Sequence, residues 1–116
     1  MDITITCNEL TNGKMFQAHL DRAVKAIRDD GFVVLENVVA HAHLDRLHKK
    51  MTADLKALMK AKVLPINFTK GHFQQDPPPF APYVFRDVAT NPFVTQVTTA
   101  VLGEGLFNSF YSGNTN

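Results

Sequence analysis

Three side chains in the stretch HAHLDRLH have the types and spacing to do metal chemistry. On a helix His41, Asp45 and His48 stand at i, i+4 and i+7, on one side. Two imidazoles and a carboxylate are a donor set for a divalent cation. His43 points elsewhere. The competing reading is an exposed helix face, with Asp45 paired to Lys49 at i,i+4. Such a pair contributes only a few tenths of a kcal/mol, and an exposed face lacks the shielded, open coordination that oxygen chemistry requires.

A second set carries neutral polar groups. His72, Gln74 and Gln75 follow Gly71, and Tyr111, Ser112, Asn114 and Thr115 lie near the far end. Gln74, Tyr111 and Ser112 are the candidate pocket-lining residues. Their amide and hydroxyl groups orient a ligand if they face a cavity, and otherwise satisfy local backbone groups in turns. There is no phosphate-cradling glycine loop: the glycines of Gly103-Glu104-Gly105 have no lysine and no following helix. No nucleophile elbow is present.

These residues need elements to position them. Ile3, Ile5 and Cys7 alternate with polar residues and predict a short strand. Thr11, Asn12 and Gly13 supply cap and turn chemistry. Phe16, Leu20, Ala23, Val24 and Ile27 predict a helix that ends at Gly31. Asp29 and Asp30 oppose its dipole. Phe32 to Leu35 predicts a buried strand. A second helix runs from His41 to about Lys60, with Leu44, Leu47, Met51, Leu55 and Leu58 as its apolar stripe and its lysines on a solvated face. Ile66, Phe68 and Phe73 suggest short strands, and the prolines at 77, 78 and 79 an extended connection. Asn91 caps a third helix with Pro92 in its first turn, Phe93, Val94, Val97 and Val101 on its apolar side, and Gly103 at its end. Leu106 to Tyr111 is expected to form the closing strand. The fold class is α+β.

Composition narrows the partners. Of 116 residues, 45% are hydrophobic, and 12 basic against 11 acidic side chains leave a formal net charge of +1. That balance gives no reason to invoke nucleic acid or an anionic membrane. The one cysteine excludes an internal disulfide and a cysteine-based zinc site. With no signal-peptide pattern and no apolar run of membrane-spanning length, a cytoplasmic setting is the simplest expectation.

Several stretches resemble one family. DDGFVVLENVVAHAHLDRLHKKM is similar to the opening of phytanoyl-CoA dioxygenase-like proteins. ATNPFVTQVTTAVLGEGL resembles the helix and turn before their main strands, and FNSFYSGNTN the strand leading to their metal site. HFQQDPPP looks most like members of secondary metabolism. The resemblance runs from Lys14 onward. It implies an Fe(II)- and 2-oxoglutarate-dependent dioxygenase on a double-stranded β-helix, or jelly roll, that hydroxylates or desaturates a small organic substrate. The family holds iron by a His-X-Asp pair and a distant histidine, with an arginine on the 2-oxoglutarate carboxylate. Here His43-Leu44-Asp45 fits the three-letter pattern but lies on the second helix, so no ligand role passes to it. The expectation is one incomplete domain, residues 1–116, forming the N-terminal portion of such an oxygenase. With Fe(II) and 2-oxoglutarate bound only in the full-length parent, the chain alone is expected to be inactive. The alternative is a stand-alone, non-catalytic α+β binding module.

Overall fold

The computed structural model describes residues 1–63, 68–69 and 71–115. Helix and strand are mixed, as the α+β expectation requires. The chain divides into two compact units, Met1–Ala40 with Arg86–Phe107, and His41–Phe85 with Asn108–Asn116. Among the described residues no helix is long and apolar enough to cross a membrane.

The first unit opens with β1 (Asp2–Thr4), followed by α1 (Cys7–Asn12) and α2 (Gln17–Asp30). Cys7 begins a helix and does not continue the strand. Thr6 stops the strand, because its hydroxyl accepts from Glu9 N while the Glu9 carboxylate accepts from Thr6 N, a complete capping box. Gly13 ends α1 at φ 63° and Gly31 ends α2 at φ 82°, both left-handed positions that favour glycine. Lys25 pairs with Asp29 across one turn, which gives that acid a local partner despite the helix dipole.

β2 (Val34–Glu36) pairs parallel to β1, with Ile3 opposite Leu35. The segment before it is not the fully buried strand that its composition suggests. Phe32 and Val34 are exposed, while Val33, Leu35 and Val38 pack against the core. A two-stranded sheet has one covered face, so alternate residues face out.

The core gathers Ile3, Ile5, Met15, Ala23, Phe93 and Val97. Complete burial of a side chain the size of Ile3 or Phe93 contributes roughly 1.5–3 kcal/mol. Phe93 and Val97 belong to α5 (Pro92–Leu102), which follows the single turn α4 (Arg86–Ala89). Asn91 caps α5 as its sequence predicts, accepting from Phe93 N at 3.0 Å and Val94 N at 3.2 Å. Val94, assigned to the apolar side by spacing, is exposed. The threonine- and valine-rich α5 is weak by intrinsic propensity, and side-chain clamps hold it. Gln96 accepts from Met15 N and donates to the Gly13 carbonyl, at 2.9 and 3.0 Å.

The second unit is built on α3 (His41–Leu58) and an antiparallel sheet of β3 (Phe68–Thr69), β4 (His72–Gln75) and β5 (Gly113–Thr115), in the order β3-β4-β5. Ile66 lies outside the described residues. Here the sequence expectation needs its largest correction. Leu106 to Tyr111 is not a strand. Phe107 and Phe110 are 84% and 68% exposed, and strand pairing starts only at Gly113, opposite Gln75. The Asn108 side chain instead accepts a local hydrogen bond from Phe110 N.

The proline-rich connection leads into an aromatic segment lying along α3. Phe85 stacks on His43 with centroids 4.2 Å apart, and the Lys50 ammonium stands 5.8 Å from the Tyr83 ring centre. Buried Leu47 lies between His43 and Lys50 in the helix sequence, so one helical face takes the whole segment.

Candidate functional site

The predicted polar residues fall where β4 meets the end of the chain. Gln74 and Ser112 come together, with Gln74 Nε2 donating to Ser112 Oγ at 3.4 Å. That length is at the weak end of hydrogen bonding. Gln75, one residue on, projects from the opposite face of β4 and reaches α3, its Nε2 donating to the Met51 carbonyl at 3.0 Å. Gly113 lies opposite Gln75 on β5, and a Cβ there would make only ordinary contact, 3.4 Å from the Gln75 carbonyl oxygen and 3.9 Å from Met51 Cε.

Tyr111 is half-buried, and its hydroxyl is enclosed with no hydrogen-bond partner among the described residues. Burial pushes its pKa up, so the phenol stays protonated at neutral pH. No hydrogen bond from its hydroxyl joins it to the Gln74–Ser112 pair. The Gln75 Oε1 atom is likewise buried without a partner. The amide orientation follows from the Met51 carbonyl, which only Nε2 can satisfy. Gln75 contributes to a cavity of about 170 Å³ that His48, Met51, Thr52 and Leu55 also line.

The chemistry available here is orientation by neutral donors and acceptors. Ser112 has no histidine hydrogen-bonded to it among the described residues, so nothing shown activates it as a nucleophile. His72 is exposed on β4.

His41, Asp45 and His48 do not assemble. All three are exposed on α3, and no group of three His, Cys, Asp or Glu side chains able to hold a metal occurs among the described residues. Nor does Asp45 pair with Lys49.

The first unit holds a titratable pair that the sequence reading passed over. Glu9 is fully buried. Burial alone would raise its pKa. Hydrogen bonds from Thr6 N, Phe16 N, the Thr6 hydroxyl and His19 overcome that and hold it at about 2. His19 Nδ1 lies 3.0 Å from Glu9 Oε1, and the ionised carboxylate can only accept, so this nitrogen carries the proton. With both oxygens occupied by protein donors, Glu9 fastens α1 to the start of α2 and has no lone pair to offer a substrate. The signal was present as Thr6-X-X-Glu9, the capping-box spacing.

A cleft of about 570 Å³ in the same unit is walled partly by the exposed, already paired side chains Gln17, Asp21, Lys25 and Asp29. No family model matches the chain.

Proposed function

We propose that this chain forms the N-terminal part of a phytanoyl-CoA dioxygenase-like, Fe(II)- and 2-oxoglutarate-dependent oxygenase with a jelly-roll core, acting on a small organic substrate. The observation that carries the reading is the order of elements beneath the resembling stretches. α2 closes at Gly31 and gives way to β2 and α3, and Asn91-capped α5 closes at Gly103. The polar groups of Gln74, Tyr111 and Ser112 are those expected to line the pocket and orient its contents.

The residues present do not fit the iron. The described residues offer no three-donor group, and of the two His-X-Asp triplets in the sequence, His19 is bonded to buried Glu9 and His43 is stacked on Phe85. In this proposal the iron ligands and the 2-oxoglutarate arginine belong to sequence beyond Asn116, and the chain alone turns nothing over. The test is to read the source transcript past the Asn116 codon and assay both products for Fe(II)-dependent 2-oxoglutarate consumption. A continuation carrying His-X-Asp, a distal histidine and an arginine, active only in the longer product, supports the reading. A stop codon directly after Asn116, or turnover by the 116 residues, overturns it.

One observation favours a second reading, a non-catalytic binding module. Phe107 and Phe110 are large apolar side chains left 84% and 68% exposed, the kind of surface a partner can cover. A monomer with one sharp thermal transition would favour that reading, and a dye-binding, loosely packed state would favour the fragment.

A further inference from the structure

Arg46, Lys49, Lys50 and Ala53 stand at i, i+3, i+4 and i+7 on α3, so they share one face. A lysine-rich helix face is ordinarily solvated, and by sequence alone these cations read that way. The structure places a wall beside them. Pro82, Tyr83 and Asp45 line one groove of about 510 Å³ with these four residues, so three cationic side chains face a single carboxylate there. The volume is within the range of small-molecule sites.

Its composition is divided. Ala53, Pro82 and the Tyr83 ring give it an apolar floor with one flat aromatic surface. The ring is held by an edge-on contact with Phe80 at 5.8 Å, and the Tyr83 amide donates to the Phe80 carbonyl at 2.9 Å. Lys50 is committed to the protein, pairing with Asp54 at 2.5 Å while its ammonium lies over the Tyr83 ring. Arg46 and Lys49 have no ion-pair or hydrogen-bond partner among the described residues. Two uncommitted cations beside an apolar, aromatic floor complement a ligand with a flat apolar body and an anionic head. A guanidinium also binds carboxylate or phosphate oxygens in a two-pronged geometry.

We propose that the groove between α3 and the Pro82–Tyr83 segment binds a small aromatic anion, its ring against Tyr83 and its carboxylate or phosphate on Arg46 and Lys49. The groove lies wholly within the second unit, and the proposal does not depend on the oxygenase reading.

The probe is 1-naphthyl phosphate, titrated into the chain and followed by amide chemical shifts, with 1-naphthol and inorganic phosphate as comparators. The expected result is saturable binding with shifts centred on Arg46, Lys49 and Tyr83, at least tenfold tighter than either comparator. An Arg46→Gln, Lys49→Gln double variant is expected to weaken binding at least tenfold. Both positions are on an open helix face, so the fold should survive. Lys25→Gln, in the other unit, is expected to leave binding unchanged. Equal affinity for 1-naphthol overturns the proposal in favour of a merely apolar patch. Equal affinity for inorganic phosphate overturns it in favour of bare charge. Tighter binding of a short single-stranded RNA overturns it in favour of a polyanion surface, and an undiminished affinity in the double variant overturns it outright.

Discussion

His19 Nδ1 donates to the Glu9 carboxylate across 3.0 Å, and this carboxylate is fully buried. The pair makes the first unit acid-sensitive. Glu9 ionises with a pKa of about 2 in the fold, against 4.5 ordinarily. The unfolded chain therefore takes up this proton first as pH falls. The stabilisation is fully present above about 4.5 and is lost as pH drops towards 2. Urea midpoints measured at pH 6, 4 and 3 should fall for the native chain and fall less steeply for Glu9→Gln. Glu9→Ala, which strips the acceptor from the Thr6 and Phe16 amides, should cost roughly 2–4 kcal/mol at neutral pH.

Asn91 does more than cap α5. It is buried, and its Nδ2 donates at 2.8 Å to the carbonyls of both Val38 and Asp87. Asn91→Ala should lose about 2–4 kcal/mol, the cap together with the orphaned carbonyls. Asn91→Asp keeps the cap acceptor but turns an oxygen towards those carbonyls. Equilibrium denaturation should place it well below the native chain. Native-like stability in Asn91→Asp would reduce the residue to a simple cap.

Gln75 offers a test of opposite sign. One end of its amide holds the Met51 carbonyl and the other is buried without a partner among the described residues. Replacing it by a methionine of similar shape removes a bond and a desolvation cost together, which is nearly neutral in such cases. Gln75→Met should lie within about 1 kcal/mol of the native chain. Gln75→Glu, which buries a charge beside that same carbonyl, should be clearly worse. Thermal denaturation of both variants checks the order, and a large loss in Gln75→Met would mean that Oε1 is bonded.

Phe107 and Phe110 should be dispensable for stability. Phe107→Ser and Phe110→Ser should each shift unfolding by less than about 0.5 kcal/mol. They should also reduce self-association, read by light scattering, because exposed aromatic surface promotes it.

What the sequence made legible was whatever local chemistry determines. Gly31 and Gly103 ended helices where they were expected, and Asn91 with Pro92 started one. The stripes in α2 and α3 were legible in part: Leu20, Ala23, Ile27 and Leu47 turn inward, but Phe16, which caps α2, and Leu44 are exposed. The errors came where long-range pairing decides. Leu106 to Tyr111 has strand composition, yet Gly113–Thr115, with poor strand propensity, pairs with β4. The pairing depends on the edge that β4 offers to β5, which local propensity does not reveal. At the candidate site, Gln74 and Ser112 come together, a contact that no spacing in the sequence predicts. Their segregation from Gln75 could not be read without the register. Nor could the groove beside Tyr83, since no periodicity links Arg46 to Pro82.

Neither unit is made from one continuous run of chain. The first needs Arg86–Phe107 to complete what Met1–Ala40 begins, and the second needs Asn108–Asn116 after His41–Phe85. During synthesis, then, the chain up to Phe85 contains neither assembly in full. Ile3 and Ile5 are made early, but Phe93 and Val97, their neighbours in the core, leave the ribosome some 90 residues later. Through that interval the nascent chain carries its early apolar residues uncovered, the condition under which chaperone capture and premature aggregation compete with folding. Closing such long loops also slows the search for native contacts. The order of translation thus leaves Ile3 and Ile5 waiting for the core partners that arrive with α5.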